Sequence, residues 1–287
     1  MELLDGMGSN ACAGIDLDDC NKLDDAATNL LDARGLIMTI SDAVGHVVSN
    51  VGGSAIKYVQ DKLGFDVKTK ADEIVESVLW RTQSIATTGL QAESAADPWD
   101  WFHKIAVGAS GAACGFVGAP GLIWDLPFTT GMIMRSIADI ARSSPGESLD
   151  TEGTKRACIE VFAFGGPEAA DVDIDLAYWS TRVGLSHLAI EALIKTVAAR
   201  FGTVLTEKTL AQIVPISGSV AGAGLNYAFM DYYQQMARIH FTIRSIERRT
   251  PDPSTVRACF SYRVAEMQRR RKLRPGMGAQ AGATGSH

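Results

Sequence analysis

Proline is scarce in this sequence, 9 among 287 residues, and its five cysteines (Cys12, Cys20, Cys114, Cys158, Cys259) contain no CxxC pair. Scarce proline excludes collagen-like and linker-like chains. The odd cysteine count and irregular spacing leave no metal or disulfide framework to be read, so a reducing cytoplasm is the expected compartment. Also missing are GxSxG, a Walker lysine, a GxGxxG opening a βαβ unit, and HExxH; His46, His103, His187 and His240 are scattered. A nucleophile elbow, a phosphate loop and a zinc site are therefore unsupported, and no cofactor or metal is expected. Met1 to Ala13 is acidic and has neither the basic nor the apolar region of a signal peptide. No period-two alternation appears, which argues against a sheet.

What is present is a chain with 46% hydrophobic and 21% charged residues, enough apolar surface for a sizeable core. Glycine is enriched, at 28 residues. Charge is uneven. Residues 1–32 carry eight acids against Lys22, a net −7, while residues 238–274 carry eleven bases against three acids, a net +8. The basic end includes Arg269, Arg270, Arg271, Lys272 and Arg274. Such a head and tail point either to mutual contact or to an anionic partner such as a lipid surface. No aromatic platform accompanies the basic residues, so nucleic acid is not the expected partner.

Nearly every segment reads as helix. Residues 17–34 and 36–64 form two, broken near Gly35; a third opens at Thr69–Asp72 with Ile74 and Val78 on its apolar side. Asp97-Pro98 starts another, and Asp150 to Glu152 precedes the run Cys158 to Phe164. Residues 174–201 and 206–214 follow. In the long stretch from Gly218 to Arg249, Leu225, Phe229, Tyr232, Met236, Ile239, Ile243 and Ile246 recur at steps of four and three. That spacing predicts a seam against another helix. Tyr227, Asp231, Gln234 and Arg238 make a second stripe on the same helix. A last helix spans about 254–272.

Ile105–Trp124 and Leu210–Met230 contain no charge. Each has the length of a bilayer core but is built from Gly, Ala and Ser. Gly108, Gly111, Gly115, Gly118 and Gly121 form a ladder, and Gly218, Gly222 and Gly224 a shorter one. Small residues at this spacing let helix backbones approach closely, in lipid or in a core. Asp125 and Asp231 lie where these runs meet charge. Asp125, two residues before Pro127, reads as a helix N-cap, with Arg135 and Arg238 as charge partners of the two acids. Two carboxylates brought together would alternatively serve as acid and base. His240 reads as a satisfied interface histidine.

These residues carry a resemblance. Pro120-Gly-Leu-Ile-Trp-Asp125-Leu-Pro-Phe-Thr-Thr130 with Arg135-Ser-Ile-Ala138 resembles the central motif of the EcsC protein family. So do Cys158-Ile-Glu-Val-Phe-Ala-Phe-Gly-Gly166, Tyr178-Trp-Ser-Thr-Arg182, Val214-Pro-Ile-Ser-Gly218, Asn226-Tyr-Ala-Phe229 and Ala237-Arg-Ile-His-Phe241. The likeness covers roughly residues 55–262. Tyr178-Trp179 stands where the family commonly has two tyrosines. The resemblance implies a helical bacterial protein with a membrane-side role, since the family is named after a product encoded beside ABC-transporter components. It also implies a hydrolase role suggested for the family, without naming catalytic residues.

The expectation is an all-α, single compact multi-helix domain with two central Gly/Ala-rich helices. Residues 1–50 form an acidic helical extension, 51–272 the EcsC-like domain and 273–287 a disordered tail. The expected function is membrane or lipid contact, accessory to a membrane or transport process, in a cytoplasmic protein peripheral to the membrane. Its expected partner is an anionic lipid surface, with a membrane protein or a second copy as further candidates. The alternatives are a hydrolase using Asp125 and Asp231, and an interaction module joined through the Leu225–Ile246 seam.

Overall fold

The computed structural model describes residues 11–35, 67–82, 98, 100–117, 119–164, 174–212 and 218–273, and among these the apolar residues at helical spacing become nine helices. They are α1 (17–35), α2 (Val67–Thr82), α3 (Asp100–Val117), α4 (Ala119–Ser143), α5 (Glu152–Val161), α6 (Ile174–Ser186), α7 (Ile190–Gln212), α8 (Gly218–Arg249) and α9 (Pro253–Leu273), with a 3₁₀ turn at Phe162–Phe164. The structure is 88% helical and has no strand among the described residues, so the all-α, one-domain expectation holds.

Both uncharged stretches turn out to straddle helix breaks. Ile105–Trp124 is shared by α3 and α4, which pack against each other as an antiparallel hairpin. Ser110 donates to Asp125 Oδ1 at 2.8 Å across that hairpin. Leu210–Met230 is likewise divided between the end of α7 and the start of α8. No helix among the described residues is long and apolar enough to cross a membrane. Proline explains the first break: Pro120 belongs in an opening turn, where its missing N–H is no loss. Asp125 is therefore not an N-cap, because α4 begins six residues earlier and carries Pro127 inside it.

Other boundaries also shift. The expected 174–201 helix is interrupted after Ser186, while α7 runs without a break through Gly202. Arg156 gathers the open end of α6, its guanidinium donating to Leu188 O at 2.8 Å and Leu185 O at 2.5 Å. At Gly202 a Cβ would overlap the Asp72 carboxylate and lie 3.2 Å from the Asp72 backbone nitrogen, so glycine sets the α2–α7 approach. On α2 the fully buried stripe is Ala71, Val75 and Leu79, one residue round from Ile74 and Val78. Thr151 caps α5, accepting from Thr154 N.

α8 is the axis of the bundle. Its seam residues Phe229, Tyr232, Met236, Ile239, Ile243 and Ile246 are each at most 3% exposed. These six seam residues are thus packed within the chain, against α3, α4 and α5, while the Leu225 side chain lies outside what is described. Phe162, Phe201 and Tyr233 fill the core between α7 and α8, with ring centroids 4.8–5.5 Å apart. Gly108 is half-buried on α3; Gly111, Gly115, Gly121, Gly218 and Gly222 lie within α3, α4 and α8, and their packing, like Gly118 itself, lies outside what is described.

The acidic head meets the basic tail. Arg263 pairs with Asp24 at 3.3 Å and Arg271 with Asp32 at 2.7 Å, and Thr28 contacts Met267. Each pair is 239 residues apart, so α1 and α9 run parallel in constant register. Arg249 adds a pair with Asp19 at 2.7 Å. A disulfide between Cys12 and Cys259 joins the same two regions, a pairing that spacing alone did not reveal. Arg270 pairs with Glu266, Arg269 and Lys272 are exposed, and Arg274 lies outside the described residues.

Candidate functional site

Two buried polar layers lie along α8. The first sits between α8 and the α3–α4 hairpin. Asp125, 1% exposed, accepts from Ser110, from Thr129 at 3.2 Å and from Asn226 Nδ2 at 3.2 Å. Asn226 also donates to Val107 O at 2.9 Å, tying α8 to α3. Burying a carboxylate without donors would cost several kcal/mol, on the order of a lost charge-assisted hydrogen bond or more. Hydroxyls and one amide meet that cost.

The second stripe of α8 zips onto α3. Lys104 pairs with Asp231 and lies over the Tyr227 ring at 5.4 Å. Gln234 donates to Asp100 O at 3.2 Å and to Ser136 Oγ at 2.9 Å, and Arg238 pairs with the Asp100 carboxylate. All four stripe residues thus touch Asp100 or Lys104, as an antiparallel register requires. This corrects the expected charge partners. Asp231 and Arg238 are two turns apart on one helix, roughly 10 Å of rise, and each reaches across to α3 instead. Arg135 stands ten residues beyond Asp125 on α4, roughly 15 Å of rise, too far to pair with it. Asp125 and Asp231 are thus met by different donors, Ser110, Thr129 and Asn226 at the first and Lys104 at the second.

The second layer closes the other end. Gly146, at φ +75°, turns the chain after α4 and brings Glu147 under α8. Glu147 is 2% exposed; it accepts from Arg244 at 2.9 Å, from Arg248 at 2.8 Å and from the Thr154 hydroxyl at 2.5 Å. Burial pushes its carboxyl up, but these three donors together hold it below the usual carboxylate range.

Beside it, Glu160 of α5 pairs with Arg156 at 2.9 Å, and Arg182 of α6 pairs with Glu247 of α8 through both guanidinium branches. His240 is fully buried between them. Its Nδ1 is 3.4 Å from the Tyr178 hydroxyl, and its Nε2 is 3.8 Å from Glu160 Oε2, beyond hydrogen-bond length. Among the described residues Nε2 has no hydrogen-bond partner, which corrects the expectation of a satisfied histidine. Burial pushes His240 well below its ordinary value, helped by Arg182 and Arg244, and burial raises Glu160. The close approach is thus between a neutral imidazole and a carboxyl, not an ion pair. Such a pair could hold or pass a proton, but it is enclosed at 0% and 7% exposure.

The blocks that carry the family resemblance meet in these layers. Asp125 of the first meets Asn226; Glu160 and Phe164 of the second meet Tyr178 and His240. Glu160 was missed although it is the one acid in an apolar run, the signal of a buried, paired carboxylate. Glu147 sits in a loop and offered no signal. No curated protein and no solved structure matches the chain. The EcsC protein family model matches residues 33–246, 214 of 287 residues, a span shifted toward the N-terminus from the 55–262 read off the motifs, and the chain belongs to that family.

Proposed function

We propose that this EcsC-family protein is a peripheral lipid-contacting protein, accessory to a membrane or transport process, and that it seats on the bilayer through the outer face of α3. One observation carries this reading. Trp101, Phe102 and Ile105 are 67%, 46% and 57% exposed, while His103 and Val107 on the inner face of the same turns are buried. A folded chain gains nothing by showing water two aromatic rings and an isoleucine side by side; an interface of headgroups and acyl chains accommodates all three. Inserting them supplies on the order of several kcal/mol, at about 1.5–3 kcal/mol for each fully transferred side chain. Tyr227, 49% exposed under Lys104, lies beside the face.

The basic tail contributes less in this reading than its sequence suggests, because Arg271 and Arg270 are already paired to Asp32 and Glu266. Flotation with phosphatidylcholine vesicles, with and without anionic lipid, tests the proposal. The wild type should float with both, and the Trp101→Ala/Phe102→Ala/Ile105→Ala variant should not. A variant that floats like the wild type, or a wild type that floats with neither, overturns it. Glutamine at Arg269, Arg270, Arg271, Lys272 and Arg274 should remove only the salt-sensitive part, at most ~1 kcal/mol per residue.

A further inference from the structure

Three sulfur atoms gather where the two ends of the chain meet. Cys12 precedes α1, Cys20 lies in its first turn, and Cys259 lies in the second turn of α9. Their Sγ atoms are all within 4.8 Å of one another. Cys12 and Cys259 form the disulfide, with Cα atoms 4.6 Å apart, and Cys20 is a buried thiol. All three lie outside residues 33–246, the segment matched by the family model.

We propose that, when the disulfide is reduced, Cys12, Cys20 and Cys259 form a three-thiolate site for a thiophilic closed-shell cation of the Zn²⁺ type. A disulfide needs two sulfurs, and a buried third one facing it is chemically redundant for a cross-link. Around a tetrahedral zinc with bonds of about 2.3 Å, sulfurs lie roughly 3.8 Å apart, so a trio within 4.8 Å needs only small side-chain adjustment. The backbone supports that geometry. Ile15 N donates to Cys12 O at 3.2 Å and Cys20 N to Asp16 O at 2.8 Å, folding residues 12–16 over the first turn of α1. The Cys20 thiol points into this fold, 3.8 Å from Ile15 O. Cys259 is fully buried, while Cys12 is half-buried and so reaches the solvent from which an ion would enter.

The chemistry balances with a dithiol reductant. It gives two electrons and two protons to the Cys12–Cys259 bond and leaves as its own disulfide; zinc then displaces the three thiol protons to solvent. The α1–α9 contact is thereby closed by a disulfide in the oxidised chain and by the cation in the reduced one.

The test uses the full chain, reduced with a phosphine without oxygen and titrated with Co²⁺. Sulfur-to-cobalt charge-transfer absorption should saturate at one ion per chain and be displaced by Zn²⁺. Cys20→Ala should weaken Co²⁺ binding by about tenfold or more, whereas Cys158→Ala, buried elsewhere, should bind as the wild type does. Zn²⁺ should also protect three of the five cysteines from alkylation in the wild type, identified by mass as Cys12, Cys20 and Cys259, a reading that does not depend on any variant folding. Absence of the charge-transfer band, unchanged affinity in Cys20→Ala, or protection that omits Cys20 overturns the proposal.

Discussion

Asp125 and Glu147 are buried alike, at 1% and 2% exposure, and the donors described on them differ in charge. Ser110, Thr129 and Asn226 bring neutral donors to Asp125, whereas Arg244 and Arg248 bring two guanidinium groups to Glu147. The difference follows from place. Asp125 lies where α8 crosses the α3–α4 hairpin and meets short side-chain donors from all three helices. Glu147 lies near the end of the bundle, where Arg248 remains 39% exposed and keeps part of its charge in water. Neutral dipoles suit a deep carboxylate; ion pairs suit one close to an outlet.

The largest effect should come from Glu147→Gln. It leaves two arginines without their carboxylate and should cost up to the ~3–5 kcal/mol of a broken buried pair, reduced by the exposure of Arg248. Denaturant titration measures it; a loss under ~1 kcal/mol would dissolve the contrast between the sites. The pH dependence has a definite sign. Glu147 is held below the usual carboxylate range, so its stabilisation is complete above that range and is lost as pH falls through it. The acid limb of stability should therefore flatten in the Gln variant.

Asp125→Ala comes next. It strands the Ser110 and Thr129 hydroxyls and one use of Asn226, at about 1–3 kcal/mol for each donor left unsatisfied. Asp125→Asn keeps an acceptor oxygen and should lose less than the Ala variant. Equal losses in the two would mean that charge, not hydrogen bonding, matters there, making Asp125 a second Glu147.

Gly202→Ala should cost about 1–3 kcal/mol by overpacking α7 on α2, read as a lower thermal midpoint. A smaller effect is expected at His240, whose value is held well below the ordinary histidine range by burial. As pH falls past that ordinary range the unfolded chain takes up the proton first, so stability declines. His240→Gln should weaken this decline. The Trp101, Phe102 and Ile105 variant should change the melting midpoint least, since exposed positions rarely contribute more than ~0.5 kcal/mol, while abolishing flotation.

Much of this was legible in local pattern. The α8 boundaries, its apolar seam and its polar stripe follow from steps of three and four, and the stripe's four residues meet α3 as one face must. The pairing of head and tail was one of two outcomes open from charge alone, and the parallel register of α1 and α9 selects it. Less legible were the breaks. Gly202 reads as a helix end but is a close-packing position inside α7, and the stop after Ser186 is secured by Arg156 from a different helix.

Periodicity, charge sign and residue size act between near neighbours, so the all-α class, the amphipathic faces and the family blocks are written in the sequence. Partner choice is not local. Lys104 meets Asp231 across 127 residues, Asp125 meets Asn226 across 101, and Cys12 meets Cys259 across 247. Each choice depends on which helix lies within the few ångströms a side chain can span, and only the folded packing of α1, α3, α4, α8 and α9 sets that distance.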